Sequence, residues 1–355
     1  MATNTPAPAD EAQAPSPWTQ VAVSVALLTV IISTLLTAFA WPAVRTTVQD
    51  VPIAVAGPAA AADRVVAALE QRQPGAFDIT RVADTAAAEA AVRDRAAYGA
   101  IDVSGSAPQV IVASAASSTI AQALQSAGAT LAQATSGAPA AGVTVRDVAP
   151  LPADDPRGVG LSAGALPLVM GGLLAALLLT TRLRGTSRRL AGALGFAVTG
   201  GLAMAAILQF WFGSLSGSYL ANAGVVALSI AATSLTVLGL ESFLGYPGFA
   251  IGGVLMMLIG NPLSANGNAP QMLPGWSGEL GQLLPPGAAG TLLRSTAFFD
   301  GNGAAKPVTV LAVWLVAGLL LCVVAARRVA RRPAPAGTAA ETPATGTASP
   351  VASHG

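Results

Sequence analysis

The stretch VAVSVALLTVIISTLLTAFA, residues 21–40, decides the class of fold, because it runs for twenty residues without a charge. A bilayer core is about 30 Å thick, and a helix that rises about 1.5 Å per residue needs roughly 20 apolar residues to cross it. Trp18 and Trp41 flank the stretch, and tryptophan is enriched at both membrane interfaces. We therefore predict a first transmembrane helix over residues 18–40.

The same stretch permits a second interpretation, a cleaved signal peptide, because Ala38, Phe39 and Ala40 match the small-x-small cleavage pattern. The apolar run exceeds the roughly 7–15 residues of a signal-peptide core, and residues 1–17 hold no Lys or Arg. We favour a retained anchor. Cleavage would leave five spans and would keep the following domain outside.

Five further runs have the length and composition of membrane spans. They cover residues 161–181, 190–212, 219–240, 245–260 and 308–325. The run at 245–260 is the shortest and carries Pro247 near its start, a position that a first helical turn tolerates. The predicted fold is an α-helical polytopic membrane protein with six transmembrane helices, of which five form a membrane domain over residues 159–326.

The composition excludes several classes of function. Charged residues make up 10% of the 355-residue chain, whereas soluble domains are about 25% charged. One cysteine, Cys322, and one histidine, His354, exclude a disulfide within the chain, a histidine-based metal site and a histidine general base. The single lysine, Lys306, follows no Gly-rich turn that would hold ATP phosphates, and a net charge of +1 gives no basic surface for nucleic acid. We predict no enzyme activity, no catalytic residue, no metal, no cofactor and no nucleic-acid partner.

Arginines set the predicted orientation. The arginines between the second and third spans are Arg182, Arg184, Arg188 and Arg189. Four more lie within residues 327–332, and cytoplasmic loops are enriched in Lys and Arg, so both clusters are expected in the cytoplasm. Six crossings then place both termini in the cytoplasm and residues 41–158 and 261–306 outside. The composition of residues 1–17 and 327–355 predicts disordered cytoplasmic tails.

Residues 41–158 hold eight Arg and eleven Asp or Glu, a composition typical of a water-soluble domain. Apolar runs and 3.6-residue periodicity predict its strands and helices. The predicted elements are a strand at 51–56, a helix at 59–71, a strand at 77–82, a helix at 85–97, strands at 98–103 and 109–114, a helix at 120–133 and a strand at 143–148. We predict a small extracytoplasmic α/β domain, with Arg93, Asp94 and Arg95 on a solvated face.

The end of this domain is rich in proline, and Asp155, Pro156 and Arg157 form a candidate hinge before the second span. Prolines stiffen such a segment and prevent a helix from continuing into the membrane. Two interpretations are open. The segment is a plain linker, or Asp155 and Arg157 fix the domain against the membrane surface.

Residues 261–306 are too long and too patterned for a plain connector. The first part is turn-rich, and the second part predicts two short amphipathic helices separated at Pro285 and Pro286. Such a pair either lies in the outer interface or re-enters the membrane among the spans as an outer gate. The candidate gate residues are Glu279, Pro285, Pro286, Gly287, Arg294, Phe298 and Phe299.

The predicted spans contain no charged residue, whereas ion-coupled carriers and pumps retain charges inside their spans. Glu241 lies at the cytoplasmic end of the fourth span, where solvation explains it. Glycines at four-residue spacing, Gly160 with Gly164 and Gly248 with Gly252, predict close helix packing. The spans therefore give no indication of an ion-coupled carrier.

Several short motifs accompany this layout of one span, an α/β domain and five clustered spans. They are DVPIAV at 50–55, YGAI at 98–101, DDPRG at 154–158, MLPGW at 272–276 and LPPGA at 284–288, ahead of Arg294 and of Phe298 and Phe299. With these motifs the chain resembles the ABC-2-type permease superfamily, and within it the YhgE/Pip-like and DUF3533-like membrane proteins of Gram-positive bacteria. The resemblance covers about residues 18–330.

The resemblance implies half of a homodimeric or heterodimeric exporter in the lipid bilayer of a bacterial plasma membrane, which moves a hydrophobic or amphipathic substrate outward. A separate ATP-binding subunit would dock on the cytoplasmic face, at the loop that contains Arg182, Arg184, Arg188 and Arg189. Two alternatives stay open. The arginines only orient the chain, or the protein is a non-ABC envelope scaffold or secretion accessory protein that acts through its extracytoplasmic domain.

Overall fold

The computed structural model describes residues 17–105, 107–136 and 143–331, without the side chains of residues 131–136. Within these ranges it is mostly helical, with five helices long and apolar enough to cross a membrane and one five-stranded sheet. Of the tails predicted at 1–17 and 327–355, residues 1–16 and 332–355 lie outside the described residues. The disorder predicted from residue 327 is wrong up to residue 330, because the last helix continues to Ala330. The chain therefore has the helix content of a multi-pass membrane protein.

Helix α1 (Trp18–Val44) is the least packed of the long helices. Its buried residue is Pro42, and the helix contacts the bundle near residues 254–264. The backbone N–H of Thr47, just past its end, donates to the carbonyl oxygen of Met272 at 3.0 Å. The first predicted span is thus a long apolar helix that lies beside the rest of the bundle.

The α/β domain follows directly. Its elements are β1 (Val51–Ala56), α2 (Ala59–Arg72), β2 (Phe77–Val82), α3 (Thr85–Arg93), β3 (Gly99–Asp102), β4 (Gln109–Val112), α4 (Ser118–Ser136) and β5 (Thr144–Asp147). The strand order is β2-β1-β3-β4-β5, and all neighbours are parallel except β3 and β4. The predicted order of strands and helices is confirmed, although α3 ends four residues earlier than predicted.

The side chains of β1 contribute to a core on each face of the sheet, because successive side chains of a strand point to opposite faces. Its odd-numbered residues pack with α2 and α4, whereas Ala54 and Ala56 pack with α3. Met272 joins the first of these cores and Phe299 joins the second. Both faces of the sheet domain therefore extend onto the segment 261–306.

The remaining helices form the bundle and the segment 261–306. They are α5 (Val159–Arg182), α6 (Thr186–Ala206) with a π-helical turn (Ile207–Trp211), α7 (Tyr219–Leu244), α8 (Tyr246–Gly253) with a π-helical turn (Val254–Gly260), α9 (Ser277–Gln282), α10 (Pro285–Phe298) and α11 (Ala305–Ala330). Helix α7 is central, because 78% of its most apolar 18-residue stretch is buried, whereas 33% or less of the corresponding stretch is buried in each of the other long helices.

Glycines allow the neighbours of α7 to approach its backbone. A Cβ atom built on Gly172, Gly201, Gly248 or Gly318 would lie less than 3.0 Å from an atom of α7. The predicted close packing at Gly248 is therefore confirmed against α7. Small residues at helix contacts strengthen van der Waals packing where no hydrophobic effect drives association.

The fifth predicted span is shorter than a membrane span. Helix α8 and its π-helical turn have 8 and 7 residues, and at about 1.5 Å per residue they reach roughly 22 Å. A bilayer core is about 30 Å thick. Five helices have the required length and composition, and the sixth crossing stays a prediction.

Contacts place both arginine clusters at one end of the bundle. Arg189 in α6 pairs with Glu241 in α7 at 3.3 Å, and the guanidinium of Arg328 in α11 lies 4.0 Å from the ring centre of Phe243. The sheet domain and the segment 261–306 lie at the other end. This arrangement agrees with the predicted order of crossings, in which both arginine clusters lie on one side and residues 41–158 and 261–306 on the other. Which side of the membrane each end faces stays a prediction.

Candidate functional site

Helix α10 enters the bundle at the end where the sheet domain lies. Pro285 and Pro286 occupy its first turn, where a helix needs no N–H from these residues. Nearly all of its residues are buried, and it contacts α5, α7 and α11. Helix α10 is therefore enclosed by other helices, which favours the re-entrant alternative over the interfacial one, and its depth in a membrane stays a prediction.

Arg95 joins the sheet domain to α10. It follows α3 with a positive φ of 61°, and its Nη1 donates to the carbonyl oxygen of Thr291 at 2.9 Å and to Oγ of Ser295. Its guanidinium carbon lies 5.2 Å from the ring centre of Phe299, within cation–π range. Burial lowers the pKa of Arg95, an effect that the neighbouring Tyr98 opposes.

The solvated face predicted at positions 93–95 is therefore only partly correct. Arg93 is exposed, and its Nη2 lies 3.8 Å from the carboxylate of Glu89. Asp94 accepts from Nδ2 of Asn302 at 3.4 Å. Arg95 differs because the chain turns at the end of α3 and directs it towards α10.

Arg294, on α10, is 92% buried, with 8% of its surface exposed. Its Nη2 donates to the carbonyl oxygen of Asn266. Among the described residues no carboxylate lies within ion-pair distance of it. Burial, together with the positive charge of Arg95, lowers the pKa of Arg294 to about 10, and Tyr98 opposes this shift, which indicates that the two guanidinium groups are close.

Tyr98 lies beside the two arginines. Its hydroxyl donates to Oε1 of Gln271 at 2.9 Å, so it ties β3 to the segment 261–306. Burial raises the pKa of Tyr98, and the positive charges of Arg95 and Arg294 oppose that change. The hydroxyl therefore stays protonated at neutral pH, as its bond to Gln271 requires.

These side chains border a cavity of about 590 Å³ between the sheet domain and the segment 261–306. We call it the interdomain cavity. The charged and polar side chains that line it are Gln49, Asp50, Arg95, Tyr98, Asn268, Gln271, Glu279, Gln282, Thr291, Arg294 and Lys306. Its volume falls in the range of ligand pockets, about 300–1,000 Å³, but its lining is more polar than is usual for such pockets.

The predicted gate residues occupy different positions around this cavity. Glu279 and Arg294 line it, and Phe299 lies beneath the guanidinium of Arg95. Residues 285–287 form the buried start of α10, where a Cβ on Gly260 would meet Pro286. Phe298 is half-buried at the end of α10. Of the candidate gate residues, Glu279 and Arg294 line the cavity, and the role of the set as an outer gate stays a prediction.

The predicted hinge is a helix cap. The carboxylate of Asp155 accepts from the backbone N–H of Val159 at 2.8 Å and from that of Gly160 at 2.7 Å. A carboxylate at a helix start satisfies otherwise unpaired donors and interacts favourably with the helix dipole. Pro156 and Arg157 are exposed. Asp155 thus fixes the start of α5, and within the described residues Arg157 forms no ion pair with it.

The arginine loop divides into two parts. Arg189 donates to Oε2 of Glu241 at 3.3 Å and to the carbonyl oxygens of Leu183 and Thr180. Solvation is therefore the wrong explanation for Glu241, which is half-buried and ion-paired. The other predicted docking residues, Arg182, Arg184 and Arg188, are exposed.

Sequence reasoning missed Arg95, Tyr98 and Lys306 as members of one site. No local signal identifies them, because a charged residue at the end of an amphipathic helix is ordinarily solvated. They come together only when the domain docks on the segment 261–306. Within the described residues no group of three His, Cys, Asp or Glu side chains is placed to hold a metal ion.

The fold and this site define a class: a multi-pass membrane protein whose mixed α/β domain is docked on an inserted helix. No protein-family model, curated protein or solved structure matches the chain.

Proposed function

We propose that the chain is a permease-like subunit of an ABC-2-type export system, which moves a hydrophobic or amphipathic substrate outward with a separate ATPase. The observation that supports this most directly is α10, a mostly buried helix of 14 residues that packs against α5, α7 and α11, is too short to cross the bundle, and ends against the sheet domain. An inserted helix of this kind is tolerated at membrane depth because it is surrounded by protein.

In this proposal α10 closes the outer end of the path. The void between α10 and α5 has a volume of about 20 Å³, which is close to the space of one water molecule. In this proposal such a small void corresponds to the closed state, and export requires α10 to move away from α5 and α7. Arg95 of the sheet domain donates to Thr291 of α10, and Asn302, just past α10, donates to the carbonyl oxygen of Arg93. Motion of α10 would therefore be coupled to the sheet domain.

The opposite end would receive the ATPase. Arg182, Arg184 and Arg188 are exposed there and do not take part in the contacts that hold α6 to α7. Helix α1 exposes most of its apolar surface, which suits lipid or the second copy of a homodimeric or heterodimeric assembly.

The test is affinity purification of the tagged full chain in mild detergent, with cross-linking, followed by mass spectrometry. We expect a stoichiometric ATP-binding subunit that is lost when Arg182, Arg184 and Arg188 are changed to Gln. A variant with Lys at all three positions is the matched control, since it keeps the charges that orient the chain. Loss of the subunit from the Gln variant, with retention in the Lys variant, supports docking at this loop.

A second candidate function is an envelope scaffold or secretion accessory protein. It is favoured by the way both faces of the sheet domain continue onto the segment 261–306 through Met272 and Phe299, which fixes the domain as a platform. Recovery of envelope or secretion proteins, with no ATP-binding subunit under cross-linking, would refute the exporter and favour this candidate.

A further inference from the structure

The interdomain cavity holds more positive charge than its own acidic residues balance. Three cationic side chains, Arg95, Arg294 and Lys306, and two acidic ones, Asp50 and Glu279, line it. Both acidic side chains are exposed, whereas Arg294 is buried. Because a buried charge is costly unless it is paired, Arg294 calls for an anion that the described part of the chain does not supply.

The hydrogen bonds of Arg294 leave room for such an anion. A guanidinium group has five N–H donors, and one donor atom of Arg294, Nη2, bonds to the carbonyl oxygen of Asn266. Among the described residues, one buried side-chain polar atom lacks a hydrogen-bond partner, and this atom is Oδ1 of Asn266, not a nitrogen of Arg294. In the described part of the chain, no nitrogen of Arg294 is both buried and without a partner, so its remaining N–H groups keep some exposure, and Arg294 is one of the residues that line the cavity.

A groove that is apolar on one side and polar on the other adjoins the cavity. Its volume is about 220 Å³, it lies between the end of α1 and the start of α5, and it shares Asn268 and Leu273 with the cavity. Phe39, Pro42 and Leu166 are among its lining residues. A ligand with a charged head and an apolar chain would place the head beside Arg294 and the chain along α1.

We propose that the interdomain cavity binds the phosphodiester headgroup of an anionic phospholipid, held by Arg95, Arg294 and Lys306, with an acyl chain in the groove between α1 and α5. A phosphodiester carries one negative charge, which matches the excess of one positive charge in the lining. Arginine binds phosphate oxygens through paired N–H groups. This site does not depend on the docking of an ATPase.

The test uses the detergent-solubilised full chain with equimolar dioleoylphosphatidylglycerol and dioleoylphosphatidylcholine, and counts the retained lipids by native mass spectrometry. We expect a preference for phosphatidylglycerol that falls about 10-fold or more in Arg294→Gln, the effect of removing a charge-assisted hydrogen bond. Lys306→Gln, at an exposed position, should lower it about 3-fold. Arg64→Gln, an equal change of charge on the exposed side of α2, should leave it unchanged.

Arg294→Gln is compared with the wild type for protection of the Cys322 thiol, which is buried in the bundle, so that a folding defect is recognised. If that variant does not fold, Lys306→Gln and Arg64→Gln decide. Competition by millimolar inorganic phosphate would support recognition of the phosphate group. Retention of inorganic phosphate without phosphatidylglycerol would overturn the lipid assignment, and equal lipid retention by the wild type and the folded cavity variants would overturn the site.

Discussion

Replacing Gly318 with alanine is expected to push α11 away from α7. A Cβ atom at this position would lie 2.5 Å from the backbone carbon of Leu235 and 2.5 Å from the backbone nitrogen of Thr236. Carbon atoms in contact prefer separations of about 3.5–4.0 Å. The two helices must therefore move apart by roughly 1 Å, because the obstacle is backbone and has no rotamer to change.

The cost follows from this displacement. Inserting a methyl group into a well-packed core costs about 1–3 kcal/mol, which corresponds to an opening equilibrium that is about 5- to 150-fold more favourable. The shift would also stretch the bond from Oγ1 of Thr236 to the carbonyl oxygen of Trp314, which is already 3.2 Å long.

The chain contains its own reporter for this interface. Cys322 lies one helical turn beyond Gly318, is 2% exposed, and is the one cysteine of the sequence. We expect a thiol-reactive dye to label Cys322 about 5- to 150-fold faster in Gly318→Ala than in the wild type, when opening is fast relative to labelling.

Gly224→Ala is the matched control, because this glycine lies on α7 and a Cβ there would meet no atom within 4 Å. Alanine also favours a helix over glycine, so this variant should label no faster than the wild type. Equal labelling rates for Gly318→Ala and Gly224→Ala would show that α7 and α11 are not packed at this separation, and the reasoning would be refuted.

Three further predictions concern the polar contacts. Asp155→Ala should destabilise the start of α5 by about 0.5–2 kcal/mol, seen as faster limited proteolysis near residues 149–158, whereas Asp154→Ala, at an exposed position, should have little effect. A double-mutant cycle of Glu241→Gln and Arg189→Gln, measured by thermal unfolding, should give a coupling free energy above zero and up to about 1 kcal/mol, because both side chains are partly exposed. A coupling free energy of zero would exclude the ion pair as a stabilising contact. Burial raises the pKa of Asp102, but hydrogen bonds from Ser104 and Thr85 outweigh burial, so the pKa in the folded domain is below the unfolded value near 3.8. The ionised carboxylate therefore stabilises the sheet domain above the unfolded pKa, and this stability is lost as the pH falls through the folded pKa. Asp102→Asn should reduce the loss of stability at acid pH, and an unchanged acid dependence of unfolding would contradict the assignment.

Local pattern was sufficient for the elements of this fold. The strands β1 and β2 begin and end at the predicted residues, because each is a short apolar or alternating run bounded by turn residues. The break at Pro285 and Pro286 was likewise predictable, since proline lacks an N–H and fits only the first turn of α10. These features depend on residues within a few positions of one another.

The candidate site was not predictable in the same way. Arg95 and Thr291 bond across 196 positions of the chain, and Arg189 and Glu241 across 52. Whether such a charge is solvated or buried depends on which distant part of the backbone packs against it, and sequence periodicity does not indicate which distant residues come into contact.

The sequence alone determined that the chain carries helices long and apolar enough to cross a membrane, together with an α/β domain, because hydrophobic length and periodicity are local properties. Only the tertiary structure decided that α10 is inserted instead of lying at the surface, and that Arg95 and Arg294 meet beside one cavity. The physical reason is that the desolvation and pairing of a charge depend on all the residues packed around it, so the same arginine is a solvated surface group in one packing and a buried, hydrogen-bonded group in another.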